Sequence, residues 1–509
     1  MSRYAAIDIG SNSIRILAAE ANPSEPVRTL FAERQVARLG AGVFRDGRLS
    51  PASMDFACQI LERMAAEYRK LNVLAVRAVG TSALRDATNR AEFLERASAI
   101  LGTPVEVISG LEEARLVHLG VQMRWPQPKQ RVLVMDIGGG SAQLILSDEG
   151  RMVEAFSKPL GALRLTEMFL RSDPADAREL GRMQKYIQER IAGPVARFGP
   201  VKVDRMIATS STAAAVVCAV NHVRRSRREQ ADRLPATAPQ IRQLFRDAGA
   251  RDLAGRSKIT GIGPKRAEII VAGVAVLNEV VQELRLHRLY YSAAGVRDGI
   301  IADLAHRKVG MEQSRLDADQ RRVVRTLGQR YGVAALHVRK VAELASMLFQ
   351  GFQPLHKLPL ARGRALEAAA YLYNIGHYVN EVRHHRHSMY LVANSDLPGF
   401  DDREHLLIAA LCRYHRKSMP QASHQTFQTL DPENKRAVML LTPLLRLAVA
   451  LDQSQEQRVE RLETLIQEGS AEIRLYSDLD LDIEQWQAAQ VADVFREVYG
   501  LTLTVRAKR

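Results

Sequence analysis

The sequence predicts an α/β fold that occurs twice in the chain and is followed by a helical domain and a small α+β domain. Three observations support this prediction. Two distant stretches share one design, in which a buried strand ends in an aspartate and a glycine-containing turn leads to a second strand. Strands and helices alternate up to about residue 305, and from about residue 314 the apolar residues follow a helical period.

The two repeated stretches are Ala5–Leu17 and Val134–Leu146. Glycines at their turns lack a Cβ, so the backbone can approach a ligand and its N–H groups can converge on an anion. Asp136, at the end of its strand, would then hold a cation beside that anion, and Asp8 repeats its position in the first stretch. A tight hairpin whose glycines serve geometry alone is the alternative for either stretch by itself, and the repetition weighs against it.

Two such turns far apart in the chain indicate a duplicated fold whose halves face each other across a cleft. This layout is similar to that of the actin-like and sugar-kinase superfamily, in which a ribonuclease-H-like α/β unit is used twice. We predict the two actin-like domains at residues 1–125 and 126–305. A helical domain at 306–465 and a small α+β domain at 466–509 would follow.

Composition is typical of a soluble globular protein, with 46% apolar and 25% charged residues in 509. The 72 Lys and Arg against 57 Asp and Glu, a net charge of +15, favour polyanionic partners without selecting one. Cys58, Cys218 and Cys412 lie in apolar helical patterns and are interpreted as reduced core residues. The first residues enter a strand and no apolar run is long enough for a membrane span, so we predict a cytoplasmic protein.

Several local patterns place candidate site residues. Ser50 and Pro51 are typical of a helix start. Thr81 and Arg85 follow the predicted strand Val73–Val79, at the end where α/β folds bind ligands. Glu112 and Glu113 lie in the first turn of a predicted helix, where periodicity alone favours an interaction with the helix dipole over catalysis.

Four motifs together resemble the exopolyphosphatase/guanosine-pentaphosphate phosphatase (Ppx/GppA) family in order and spacing. They are Gly10–Ser13, Gly80-Thr81 with Arg85, Ser109-Gly110 with Glu112–Leu116, and Asp136–Ser141. Later stretches are similar to the long exopolyphosphatase form, and these are Ser292–Gly299, His385–Leu391, Asn394–Phe400 and Arg413–Lys417. The resemblance covers nearly the whole chain.

The resemblance implies a role for each matching residue. Glu113 would be the general base that activates water, and Asp136 would hold Mg²⁺. The residues expected to bind substrate phosphates are Ser11, Asn12, Ser13, Arg15, Thr81, Arg85, Gly138, Gly139, Gly140, Ser141, Ser210 and Thr212. Phosphoanhydride hydrolysis needs a cation, aligned N–H donors and one base, so the set is chemically coherent.

The chain departs from the family pattern at two positions. Gln143 stands where the family usually has glutamate; its amide oxygen can ligate a cation directly or through water but adds no charge, and we keep it as the second candidate metal ligand. Ser211 stands where the third loop of the family usually has glycine. That loop opens a predicted helix, whose N-terminus can still bind an anion.

Other motifs are interpreted conservatively. Gly261–Ala267 imitates a helix-hairpin-helix turn but is taken as the start of a long helix, and the basic run His222–Arg228 as a solvated face, so no specific nucleic-acid binding is predicted. The helical region resembles the HD-like domain of long exopolyphosphatases. Tyr373-Asn374 replaces the His-Asp pair of that domain and indicates a lost metal site. Four histidines of this region are expected to pack or to contact phosphate, and these are His384, His385, His387 and His415.

The resulting hypothesis is a cytoplasmic Mg²⁺-dependent hydrolase that releases terminal orthophosphate from inorganic polyphosphate. Guanosine pentaphosphate 5′-phosphohydrolase activity is the alternative that uses the same site. A non-catalytic sensor of polyphosphate or nucleotide is an alternative of another class, supported by Gln143 and the missing His-Asp pair. A kinase is disfavoured because Glu113 suits water activation, and the resemblance implies a homodimer.

Overall fold

Three sheets and the helices that cover them make up the part of the chain that the structure, a computed structural model, describes: residues 2–22, 25–198, 202–306 and 314–508. The chain divides into two compact units, Met1–Gly310 and Met311–Arg509. The four predicted domains fall two to each unit, and their individual boundaries stay predictions. Each unit is described by itself.

The first unit contains two mixed β-sheets. The strands are β1 (Ser2–Ile9), β2 (Ile14–Asn22), β3 (Glu25–Gln35), β4 (Ala75–Gly80), β5 (Val105–Val107), β6 (Arg131–Ile137), β7 (Ala142–Asp148), β8 (Arg151–Lys158), β9 (Arg205–Thr209), β10 (Pro235–Thr237) and β11 (Arg288–Tyr291). The first sheet has the order β3-β2-β1-β4-β5 and the second β8-β7-β6-β9-β11-β10. In both, a three-stranded antiparallel meander is extended by parallel strands.

Apart from the edge strand β10, the two sheets therefore have the same topology, with β1 corresponding to β6 and β4 to β9. This confirms the predicted duplicated, actin-like α/β fold. The parallel pairs β1–β4 and β6–β9 run in the same direction, so the turns that follow β1 and β6 lie beside the ends of β4 and β9. In such folds ligands bind at the carboxyl ends of the parallel strands.

The helices of the first unit are α1 (Val43–Asp46), α2 (Pro51–Lys70), α3 (Ser82–Asp86), α4 (Arg90–Leu101), α5 (Gly110–Arg124), α6 (Ala162–Phe169), α7 (Ala177–Phe198), α8 (Ser210–Val220), α9 (Ala238–Gly249), α10 (Leu253–Ser257), α11 (Pro264–Ala267), α12 (Ile270–Glu283) and α13 (Val296–His306). The predicted cap of α2 is confirmed, because Ser50 Oγ accepts from Ser53 N. Gly261–Ala267 does not begin a long helix: α11 ends at Ala267 and α12 starts separately at Ile270. The basic run His222–Arg228 overlaps a 3₁₀ helix, Arg225–Ala231.

Helices α5 and α13 pack between the two sheets. One apolar cluster joins Ala6 of the first sheet and Ile145 of the second to Leu116 of α5 and Ile301 of α13, all of them fully buried. Burial on both sides explains why α5 shows no clear amphipathic period in the sequence. The first turn of α5 is thus held between the two halves of the duplication.

The second unit is helical and ends in a small sheet. Its helices are α14 (Ala318–Arg330), α15 (Ala335–Gly351), α16 (Gln353–His356), α17 (Arg362–Leu372), α18 (His384–Ala393), α19 (Asp402–Tyr414), α20 (Gln425–Gln428), α21 (Pro432–Ala450), α22 (Asp482–Ala489) and α23 (Ala492–Tyr499), with a 3₁₀ helix at Ile375–Tyr378. The strands β12 (Arg461–Gln467), β13 (Ser470–Tyr476) and β14 (Thr502–Lys508) form a sheet in that order.

The small C-terminal region differs from the prediction in two respects. The sequence pattern there predicts two strands, Glu472–Tyr476 and Leu501–Val505, around one helix. The structure has β12 as a further strand and two helices, α22 and α23, in place of one. The alternation of exposed and buried residues in β12 is broken at Leu465, which explains why its period-two signal is weak. Among the described residues, no helix has both the length and the apolar character needed to cross a bilayer.

Candidate active site

The two repeated turns adopt the same geometry. Gly10 N donates to Ser13 O at 3.2 Å, and Gly138 N donates to Ser141 O at 2.9 Å. Each bond closes the hairpin between two strands and leaves the residues between its ends facing away from the sheet. The duplication seen in the sequence therefore extends to individual backbone hydrogen bonds.

The two turns touch each other. A Cβ on Gly139 would lie 3.0 Å from Asn12 N, and a Cβ on Gly140 would lie 2.5 Å from Ser82 Oγ. Both distances are too short for a side chain, so glycine is required here for close approach rather than for an unusual φ. The second turn can therefore pack directly against the first and against the start of α3.

A cavity of about 50 Å³ lies where the turns meet. The predicted site residues that line it are Ser11, Asn12, Ser13, Arg15, Thr81, Glu113, Asp136, Gly138, Gly139, Gly140, Ser141 and Ser210. Three other predicted residues, Arg85, Thr212 and Gln143, do not line the cavity. Arg85 nevertheless contacts two residues that do.

Glu113 projects into the cavity from the first turn of α5. The side chain of Ser109 caps this helix by accepting from Glu112 N at 3.1 Å. Arg85 Nη2 donates to Glu113 Oε2 at 2.9 Å, and Arg85 Nη1 donates to Ile108 O at 2.8 Å. Burial raises the pKa of Glu113 to about 7; Arg85 opposes this shift, and the carboxyl groups of Asp136 and Asp8 add to it.

Asp8 and Asp136 occupy equivalent places at the ends of β1 and β6. Burial raises the pKa of each; Arg15 acts in the opposite direction on both, and Asp136 raises the pKa of Asp8 further. Thr209 Oγ1 donates a short hydrogen bond to Asp136 Oδ1, which favours the ionised form of Asp136. Three buried carboxyl groups that repel one another thus face one small cavity.

The third loop, at the start of α8, lines the cavity with a different pair of residues from the predicted Ser210 and Thr212. Ser210, with a positive φ of 81°, and Ser211 line the cavity, whereas Thr212 is fully buried beside it. Arg15 Nη2 donates to Ser211 Oγ at 2.9 Å. The hydroxyl of Ser211 therefore holds an arginine that lines the cavity in place.

Gln143 lies behind the second turn. It is fully buried opposite Asp136, and its Nε2 donates to Ser141 Oγ at 3.0 Å and to Ser157 Oγ at 3.3 Å. Its Oε1 has no hydrogen-bond partner among the described residues. In this geometry Gln143 orients Ser141 of the second turn, and its role as a metal ligand stays a prediction.

Three residues with polar or charged side chains line the cavity but are not among the predicted site residues: Asp8, Ser211 and Arg266. For Asp8 a signal existed, since it repeats the position of Asp136. Arg266 was hidden in the stretch taken for a long helix. Burial, together with Arg15 and Arg228, lowers the pKa of Arg266 to about 9. Cations thus crowd one side of the cavity.

Oxygen ligands in the cavity fit a small, hard cation. Asp8 and Asp136 offer carboxylate oxygens, and a cation between them would relieve the repulsion that raises the pKa of Asp8. In the described part of the chain, no group of three or more His, Cys, Asp or Glu side chains is arranged to hold a metal ion. Mg²⁺ usually takes one or two carboxylates together with water and substrate phosphates, so this donor set suits it.

Comparison with known proteins agrees with this geometry. A model described as the Ppx/GppA phosphatase family matches residues 16–308, and a model of Ppx/GppA phosphatase domain III matches residues 320–489. A solved exopolyphosphatase-like protein is 25% identical, with 60% of this chain and 99% of that chain covered and a TM-score of 0.58.

Two further solved structures are similar over the same share of the chain. The Ppx/GppA family member from Aquifex aeolicus is 27% identical, with 60% of this chain and 98% of that chain covered and a TM-score of 0.53. An exopolyphosphatase from Cytophaga hutchinsonii is 24% identical, with 60% and 98% covered and a TM-score of 0.56, a likeness that shows the fold alone.

Proposed function

Because the chain belongs to the Ppx/GppA phosphatase family, we propose that it is a magnesium-dependent exopolyphosphatase. It would hydrolyse the terminal phosphoanhydride bond of inorganic polyphosphate and release orthophosphate. One observation carries the proposal: two equivalent glycine turns and three buried carboxyl groups converge on a cavity of about 50 Å³. The solved relative described as an exopolyphosphatase-like protein supports the substrate class.

The turns would hold the terminal phosphate. The backbone N–H groups of Asn12 and Gly139 lie where the turns meet, and the hydroxyls of Ser11, Ser13 and Ser141 line the same wall. Such preorganised donors stabilise the charge on the equatorial oxygens of a transferring phosphoryl group. Since they are fixed by strand hairpins, little reorganisation is needed when the substrate binds.

Glu113 would act as the general base. Its ionised carboxylate takes one proton from the attacking water while the water oxygen forms the new bond to phosphorus, and the shortened chain leaves with the bridging oxygen. A base with a pKa of about 7 is well matched to neutral pH. The reaction needs no covalent intermediate.

Asp136 and Asp8 would hold the magnesium ion. The ion supplies positive charge that offsets the negative charge of the phosphates. Arg15 and Arg266 at the wall of the cavity supply further positive charge. Burial and the repulsion from Arg15 lower the pKa of Arg266, and a substrate with several phosphates would relieve that repulsion. This cationic side is what favours a polymer as substrate.

The proposal is tested by phosphate release from long-chain polyphosphate and from guanosine pentaphosphate, side by side, with and without Mg²⁺. We expect faster release from polyphosphate and none after chelation. Glu113→Gln should reduce kcat by about a hundredfold, the usual scale for losing a general base. Glu62→Gln, on the exposed face of α2, is the matched control and should leave kcat unchanged.

Each of the other outcomes has a definite meaning. Faster release from guanosine pentaphosphate would replace the proposed substrate by the nucleotide. No release from either substrate, with binding of both retained, would leave a non-catalytic sensor. Release that is unaffected by Glu113→Gln would show that another group activates the water.

A further inference from the structure

A buried network of ion pairs lies behind the first turn of α5, on the side away from the cavity. Its members come from four elements: Arg77 of β4, Glu106 of β5, Glu112 and Arg115 of α5, and Asp303 of α13. All except Glu106 are at least nine-tenths buried. None of them lines the cavity, so the proposed reaction does not use them directly.

Two arginines bind the same two carboxylates. Arg77 donates from Nη1 to Asp303 Oδ2 at 3.0 Å and from Nη2 to Glu112 Oε1 at 3.2 Å. Arg115 donates from Nε to Glu112 Oε2 at 2.7 Å and from Nη2 to Asp303 Oδ1 at 2.8 Å. Both oxygens of Glu112 and both of Asp303 are thus engaged, which fixes these side chains in one orientation.

The network keeps Glu112 charged. Burial alone would raise the pKa of Glu112, but Arg115 and Arg77 hold it below the usual value. Glu112 therefore does more than interact with the helix dipole, the role that periodicity alone favoured. Buried ion pairs add little stability compared with apolar packing, so an arrangement of this kind is better explained by the position that it imposes.

Helices α5 and α13 are also in direct backbone contact. A Cβ on Gly299 would lie 1.7 Å from Leu116 O, and a Cβ on Gly120 would lie 2.3 Å from Gly295 O. Side chains thus cannot act as spacers between the two helices, and movement of one is transmitted to the other. The ion pairs at the first turn of α5 and the glycine contacts along the helix together fix its position along its own axis and its rotation about that axis.

We propose that Asp303, Arg77 and Arg115 are positioning residues for Glu113. The inference rests on the proposed function, in which Glu113 is the base. By clamping Glu112, the network sets the rotation of the first turn of α5, and the neighbouring Glu113 is thereby held toward the water that attacks phosphorus. Misplacement of a reacting group by about 1 Å can cost about a hundredfold in rate.

Asp303→Asn tests the proposal because it removes the charge and keeps the shape. We expect kcat for polyphosphate to fall by about tenfold to a hundredfold while KM changes by less than about threefold. The decisive measurement is the double variant. In the Glu113→Gln background, Asp303→Asn should lower kcat no further, because residues that act through one group are not additive.

Arg124→Gln is the matched control. Arg124 Nε bonds Asp298 Oδ1 at 2.9 Å and so also links α5 to α13, but at the last turn of α5. This variant should lower the midpoint of thermal unfolding and leave kcat unchanged. Arg115→Lys, which keeps the charge but loses the two-armed contact, is the second test variant if Asp303→Asn does not fold, and it should show the same non-additivity.

The outcomes separate this inference from the proposed function. An active wild-type protein in which Asp303→Asn and Glu113→Gln reduce kcat additively, or in which Arg124→Gln lowers kcat as much as Asp303→Asn, would overturn the positioning role alone. A wild-type protein that releases no phosphate would overturn the proposed function, and the positioning role with it.

Discussion

Arg85 Nη2 lies 2.9 Å from Glu113 Oε2 and 3.4 Å from Ser141 Oγ, so that one guanidinium group bridges the candidate base and the second glycine turn. A phosphate group bound at Ser141 would compete with Glu113 for this guanidinium. Arg85 can therefore hold the carboxylate in the free protein and turn to the phosphate when substrate arrives. Under the proposed function, this contact would link substrate binding to the ionisation of Glu113.

Removing Arg85 should shift the pH dependence of the reaction. Arg85 lowers the pKa of Glu113, so Arg85→Ala raises that pKa and the rising limb of kcat/KM should move to higher pH. The pH profile of the variant against that of the wild type checks this. Arg63→Ala, an exposed arginine on α2, is the control. A lower rate without any displacement of the profile would mean that Arg85 serves phosphate binding only.

The wild-type profile itself should depend on magnesium. Glu113 must be ionised to act as base, and its pKa is about 7 in the ligand-free protein, so kcat/KM should rise with pH, with a midpoint at about pH 7, and level off above it. A cation nearby favours the ionised form and lowers the pKa. The midpoint should thus fall as Mg²⁺ is raised. A midpoint near that of an ordinary glutamate, independent of Mg²⁺, would contradict this reasoning.

Gln143→Glu should couple stability to magnesium. The side chain of Gln143 is fully buried, and its amide bonds the hydroxyls of Ser141 and Ser157, neither of which is a cation. A carboxylate at this position would therefore find no cationic partner in place of these bonds. An unpaired buried charge is destabilising, so the unfolding midpoint should drop without Mg²⁺ and recover with it. The Mg²⁺ concentration for half-maximal activity should also fall. Unchanged magnesium dependence of both would show that position 143 does not reach the ion.

Basic side chains of the second unit should matter for long chains only. Arg386, Arg416 and Lys417 are exposed, and a polymer with one charge per repeat gains affinity from each cation that it touches, more so at low salt. Their triple alanine variant should bind long polyphosphate more weakly and accumulate products of intermediate length on gels. Hydrolysis of short chains should be unaffected.

The control for this experiment removes the same charge elsewhere. Arg330, Arg436 and Arg496 are also exposed on helices of the second unit. If their triple alanine variant also accumulates products of intermediate length, the effect comes from the lower net charge and not from the positions of Arg386, Arg416 and Lys417. The difference between the two variants should shrink at high salt, since exposed charges are screened.

Acid should destabilise the second unit through its buried histidines. Burial and neighbouring cations lower the pKa of His384 and His385 to about 4, and the pKa of His415 well below the usual value. These groups stay neutral when folded, whereas the unfolded chain binds protons below about pH 6.5. The free energy of unfolding should therefore fall as pH decreases from about 6.5 toward 4.

Denaturation at a series of pH values measures this slope. Each buried histidine adds up to about a tenfold change in the unfolding constant per pH unit. His385→Gln, which removes one titrating group from the cluster, should make the slope shallower by about one proton. A slope equal to that of the wild type would show that His385 accepts a proton in the folded state.

The sequence was most informative where the chemistry is local. The glycine turns, Asp136 and Glu113 lie in short motifs, and the repetition of one motif predicted the duplicated fold. Arg266 and the Arg77–Asp303 pair escaped because their meaning depends on contacts across 54 and 226 residues. In the same way, the pattern around Glu112 shows a helix start and carries no sign of the arginines that surround it.

Under the proposed function, the close contact between Gly139 and Asn12 would also determine how polyphosphate is consumed. A cavity of about 50 Å³ has room for a few water molecules or one phosphate group, and the two turns that line it are packed against each other at Gly139 and Asn12. The interior of a polyphosphate chain would not fit into this cavity, so every turnover would start at a chain end. The initial rate would then follow the number of chain ends, and the same mass of polyphosphate would be degraded faster as many short chains than as a few long ones.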